Sequence, residues 1–111
     1  MSLDPATTNS DYYKVIFEND RVRVLEYTDR PGDRTTVHEH PDSVMYTLSS
    51  FRRRLHAGDV QRDVELQAGT VQWISAQQHY GENIGDTPSH SIFIELKDTI
   101  GSRADQELGP S

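Results

Sequence analysis

Apolar residues in this chain recur in twos and almost nowhere in threes and fours, which confines it to strands. "YKVIFEN" and "RVRVLEYT" flank a turn, with Val22 and Val24 on one face of the second segment and Arg21, Arg23 and Leu25 on the other. After the turn "DRPGD" come "TTVHEH", "VMYTLSS", "FRRRLH", "VQRDVELQ", "TVQWIS" and "SHSIFIELK", separated by Gly, Pro, Asp or Asn. "QQHYGENIGDTP" reads as a polar loop between the last two. Eight or so short strands are expected, with helix signals only weakly present in the last dozen residues. An antiparallel sandwich or barrel follows, because short strands of this spacing hide their edges by closure or by rolling two sheets together. At 111 residues the chain is expected to form one domain over residues 11–98, with an N-terminal arm over 1–10 and a C-terminal tail over 99–111.

Eighteen acids against eleven Lys and Arg leave a net charge of -7, which argues against nucleic acid and anionic membrane as partners. The chain has no cysteine, so metal chemistry must run through imidazole and oxygen. No apolar run reaches the ~18 residues of a membrane span. The opening "MSLDPATTNS" lacks the basic start and apolar stretch of a signal peptide, so a cytoplasmic location is the default expectation.

The chemistry is concentrated in "VHEHPDSVMY". On a strand, His38 and His40 point the same way about 6.6 Å apart while Glu39 points away. A pair of this kind is common on exposed strands and is not a site by itself. His79, in "QQHYGEN" beside turn residues, supplies a third imidazole that a closed barrel can bring near.

"PGDRTTVHEHP", with Gly32 ahead of His38 and His40, and "GTVQWISAQQHYGEN", from Gly69 to His79 and Asn83, resemble the two sequence motifs of the cupin superfamily. The likeness runs from about residue 15 to 97 and is nearest to small single-domain cupins associated with β-alanine degradation. It implies an all-β jelly-roll barrel of two antiparallel sheets, a homodimer, and one divalent metal ion per chain in the lumen. The glutamate that cupins carry a few residues after the second histidine is missing, since its slots hold Ser43, Val44 and Met45. The proline and glycine of the second motif fall where Ser75 and Gln77 stand. Three neutral imidazoles, His38, His40 and His79, are the simplest surviving ligand set, completed by water or substrate, with Asp42 and Glu82 as less favoured fourth ligands. Iron(II) is the first choice of ion, and zinc, nickel and manganese fit the same nitrogens. Metal binding should fade as pH falls through the histidine range near ~6.5, because protonated rings cannot ligate.

A divalent ion with three neutral ligands keeps its charge and favours a small anionic organic ligand. Candidate pocket residues are Met45, Tyr46, Trp73, His90 and Arg23, although Arg23 is expected at the surface and His90 as a partly buried histidine. His56 is read as solvated and Asn83 as a turn former. The run Arg52, Arg53, Arg54 is read as a protected edge or a solvated face rather than an anion site. Two functions are carried forward. One is a metal-dependent, dioxygenase-like enzyme acting on a small carboxylate or dicarbonyl; the other is a non-catalytic binding or sensing protein. No acid–base pair stands out, so no catalytic residue is assigned.

Overall fold

The structure is a computed structural model that describes residues 3–97, so the expected tail lies outside the described residues. It contains a short helix, α1 (Pro5–Thr8), and nine strands. These are β1 (Tyr13–Glu18), β2 (Val22–Asp29), β3 (His38–His40), β4 (Ser43–Thr47), β5 (Phe51–Ala57), β6 (Val60–Leu66), β7 (Val71–Ile74), β8 (Gln77–Asn83) and β9 (Ser89–Leu96). The strands form a five-stranded sheet of order β1-β2-β9-β4-β7 and a four-stranded sheet of order β3-β8-β5-β6. All named pairings are antiparallel, so the observed fold is the all-β jelly roll implied by the resemblance, within the antiparallel sandwich or barrel expected from the alternation. Glycines 32 and 69, which open the two motifs, hold positive φ angles of 90° and 85° at the turns, a backbone region that side chains disfavour.

Two local readings are corrected. "QQHYGEN" is strand β8, not a loop, because its polar residues alternate as a strand's do: His79, Gly81 and Asn83 face in while Tyr80 and Glu82 face out, and β3 and β5 pair with it on either side. The N-terminal arm carries α1, where the Asp4 side chain accepts from the Ala6 amide at 3.0 Å and proline occupies the first turn.

The lumen is more polar than the alternation suggests. Along β9 the inward residues are Ser89, Ser91, Phe93 and Glu95, facing Asp29, Tyr27, Leu25 and Arg23 of β2. The outward residues include Ile92 and Ile94, which join Val24, Val44, Tyr46, Val71 and Trp73 on one apolar sheet face. The buried apolar core is correspondingly small, with Tyr13, Leu25 and Tyr27 packed against Ala6, Tyr12 and Phe93.

Candidate metal centre

Antiparallel pairing of β3 with β8 sets His38 directly opposite His79, so the third histidine is a cross-strand neighbour in the same sheet. One ligand atom from each of His38, His40 and His79 lies within 4.8 Å of the others. The first two side chains are buried and the third is half-buried.

The nearest partner of each Nδ1 is an acceptor, although the Asn9 Nδ2 also lies 3.3 Å from the His38 Nδ1. The His38 Nδ1 donates to the Thr36 carbonyl at 2.8 Å, the His40 Nδ1 to the Glu95 carboxylate at 3.0 Å, and the His79 Nδ1 to the Gln77 Oε1 at 3.1 Å. The proton of each neutral ring is thereby fixed on Nδ1, which leaves the three Nε2 lone pairs for a metal. The donor set fits a first-row divalent ion. Glu95 is itself fixed by Arg23, whose guanidinium also pairs with Asp4 at 2.8 Å.

Burial pushes the His38 imidazole down to about 4, against the opposing pull of the Thr36 carbonyl. His79 is pushed down to about 3 by burial, then by its two histidine neighbours. Both rings are therefore neutral well below the ordinary histidine range, so at these two positions protons compete with a metal only at lower pH.

The remaining sequence candidates fall in different places. Met45 is buried and faces the lumen, a cavity of about 470 Å³ lined also by His38, His79, Tyr13, Phe51, Arg53 and Phe93. Trp73 stands at its rim, but the register sets it opposite Val44 on the outward face, and it is 55% exposed. Tyr46 shares that outward face. His90 also points outward and meets Glu26 at 2.7 Å, so it does not reach the lumen. Arg23 is not a surface residue: its side chain is 17% exposed and is occupied by Asp4 and Glu95 behind His40. Of the slots for the missing glutamate, Val44 faces out, Met45 lines the cavity and the Ser43 hydroxyl donates to the Pro41 carbonyl at 2.7 Å. Neither alternative carboxylate reaches the histidines, since Asp42 caps the Ala76 amide and Glu82 faces His56 at 3.3 Å. His56 is half-buried and stacks on Tyr80, with ring centroids 4.4 Å apart.

Arg53, Asp29, Asn83 and Tyr13, none of them assigned to the site from the sequence, line or support it. Strand β5 lies between β8 and β6, so it is no edge; Arg52 and Arg54 face out while Arg53 turns into the cavity. Asp29 binds the Arg53 guanidinium and also accepts from Tyr27 at 2.5 Å and Asn83 at 3.0 Å. Asn83 is thus a buried strand residue tying this network to β9, not a turn former. The last of them is Tyr13, whose ring packs 4.7 Å from Tyr27 and whose hydroxyl lies beside His38 and His40. Only the alternation of "FRRRLH" pointed to Arg53, and no signal in the sequence joined Tyr13 to the histidines.

Two antiparallel sheets rolled around a polar lumen, with three imidazoles on adjacent strands, define a double-stranded β-helix protein with a candidate metal site. Comparison with solved structures agrees. A cupin domain from Bordetella pertussis Tohama I is 26% identical, with a TM-score of 0.71 over 77% of this chain and 91% of that one. A double-stranded β-helix protein from Klebsiella pneumoniae is 22% identical, with a TM-score of 0.61 over 76% of this chain and 74% of that one. Oxalate decarboxylase shares 32% identity with a TM-score of 0.54 over 70% of this chain, which spans only 22% of that protein. Neither family models nor curated protein sequences match the chain. The chain is a small member of the cupin superfamily.

Proposed function

We propose that this protein is a metal-dependent, dioxygenase-like enzyme that takes a small carboxylate or dicarbonyl anion into its lumen. The observation that carries this reading is one cavity lined both by His38 and His79 and by the inward guanidinium of Arg53. Arg53 has its Nη1 on Asp29 and Ser89, while its Nη2 lies where a Cβ on Gly81 would meet it at 2.8 Å. The absence of a side chain at Gly81 leaves room for that arm of the guanidinium, which can pair with an anionic oxygen while the histidines hold the metal. Iron(II) on three imidazoles would activate oxygen or polarise a bound carbonyl. The likeness to oxalate decarboxylase, 32% identical over the matched region, favours a carboxylate substrate.

Iron-loaded protein is expected to bind acetoacetate or oxalate and to consume oxygen with one of a panel of such anions. Gly81→Ala, which crowds Nη2, should weaken that binding about tenfold, read as a smaller ligand-induced rise in melting temperature. Stabilisation without oxygen uptake or product would identify a binding or sensing protein instead, and no stabilisation by any small anion would refute the lumen as a substrate site.

The protein is further proposed to work as a homodimer. Its five-stranded sheet turns Tyr46, Val71 and Trp73 outward at 41%, 63% and 55% exposure, alongside Val24, Val44, Ile92 and Ile94. A contiguous apolar patch of this kind is what a partner covers. Light scattering should give about twice the chain mass of 12.6 kDa, and Trp73→Glu should return the single-chain value. A single-chain mass in the unaltered protein at micromolar concentration would contradict pairing.

A further inference from the structure

The Tyr13 hydroxyl sits 3.4 Å from the His38 Nε2 and 3.3 Å from the His40 Nε2. Both nitrogens carry lone pairs, because both rings keep their proton on Nδ1 through Thr36 and Glu95. A phenol has one proton and can satisfy only one of two such acceptors. Here both converge on the same oxygen of Tyr13, a residue that is 5% exposed. A cation among the three atoms would satisfy all of them at once.

The spacing fits that role. In a tetrahedral site with metal bonds of about 2.0–2.1 Å, neighbouring ligand atoms are about 3.3–3.4 Å apart. The oxygen of Tyr13 is already at that separation from both nitrogens, whereas it is longer than an ordinary O–H···N bond. The phenol is also held rigidly in place. Its ring packs against Tyr27 at 4.7 Å, Phe93 at 5.9 Å, and the rings of His38 and His40 at 5.4 and 5.6 Å.

We propose that Tyr13 is a fourth protein ligand of the metal site, its phenolate oxygen joining the Nε2 atoms of His38, His40 and His79. The proposal rests on the reading of the histidine cluster as a metal centre and deepens it. It gives the site the anionic donor that Ser43, Val44 and Met45 do not provide, delivered from β1 instead of β4. On metal binding the phenol proton leaves to solvent or buffer, and one negative charge then offsets half of a divalent ion's charge.

The test uses the purified full chain and the metal alone. Loading with Fe(III) should produce a visible phenolate-to-iron charge-transfer band, and resonance Raman excitation within it should show tyrosine ring modes. Tyr13→Phe, which keeps the ring packing, should lose the band and bind Fe(III) or Zn(II) at least about tenfold more weakly, while Tyr12→Phe keeps both. Bound Fe(III) with no such band or ring modes in the unaltered protein overturns the assignment and leaves the three-histidine site standing. Unchanged affinity in a folded Tyr13→Phe does the same. Failure of the unaltered protein to bind any of these ions overturns the metal centre itself. The Raman experiment needs no variant, so the proposal stays testable if Tyr13→Phe does not fold.

Discussion

His40→Ala, His38→Ala and His79→Ala are each expected to reduce bound metal from near one ion per chain to near zero, whereas His56→Ala retains it. Each of the three removes one of the clustered nitrogens, and three-coordinate protein sites lose most of their affinity with one ligand gone. His40→Ala should have the largest effect, because it also takes from the Glu95 Oε2 the Nδ1 donor at 3.0 Å, while Arg23 still holds Oε1. Glu95→Gln tests the support separately: loss of a carboxylate that orients a metal-binding imidazole costs about 10–100-fold in affinity. His56 faces out toward Glu82 and Tyr80, so its removal leaves the site intact. The pH profile adds a second check. Burial depresses His38 to about 4 and His79 to about 3, so protons compete with metal for these two rings only well below their ordinary range. Metal content should therefore fall less steeply down to about pH 5.5 than at a site built wholly from exposed histidines near ~6.5. Elemental analysis of untagged protein decides the matter, and full metal content in His79→Ala would remove the assignment that joins the two motifs.

The fold and the ligand triad were legible for different reasons. Period-two alternation follows from strand geometry whatever the residues, and His38-x-His40 needs only that geometry to point two rings one way. What alternation does not carry is which face is inside. The usual rule turns apolar residues inward, yet this lumen surrounds polar chemistry, so Ser89, Ser91, Thr47, Asn83 and Asp29 are buried while Ile92, Ile94 and Trp73 face out. That inversion misplaced His90 and concealed Glu95, which sits on the inward parity of Ser89, Ser91 and Phe93. Arg53 was hidden by its neighbours, since three consecutive arginines read as a solvated run until β5 is known to be an inner strand. Tyr13 was beyond reach for another reason: it meets His38 across 25 residues of chain, through sheet closure that no local spacing encodes.

Asp29→Asn is expected to destabilise the protein by about 3–5 kcal/mol, the range found when one partner of a buried ion pair is removed. Burial alone would raise the Asp29 pKa, but the Tyr27 hydroxyl, the Arg53 charge and the groups of Asn83 and Ser89 outweigh it and hold the carboxyl below its ordinary value. The native state thus depends on a charged Asp29 whose side chain is fully buried and which accepts from Arg53, Tyr27, Asn83 and the Ser89 amide. Asparagine keeps the shape but leaves the Arg53 guanidinium with no counter-charge and presents an amide to donors that need an acceptor. For a domain of this size the loss corresponds to a fall in melting temperature of roughly 10–20 °C. Asp29→Asn combined with Arg53→Met removes both charges while keeping an amide oxygen for the Asn83 and Ser89 donors, and should recover much of the loss, because the penalty lies in the orphaned guanidinium more than in the absence of the pair. The same double variant separates stability from function: it should keep metal on His38, His40 and His79 yet lose the stabilisation by acetoacetate or oxalate that Arg53 provides. A melting temperature for Asp29→Asn within about 2 °C of the unaltered protein would mean that the guanidinium is solvated in the open cavity, and the picture of Arg53 as a rigidly held anion anchor would have to be abandoned.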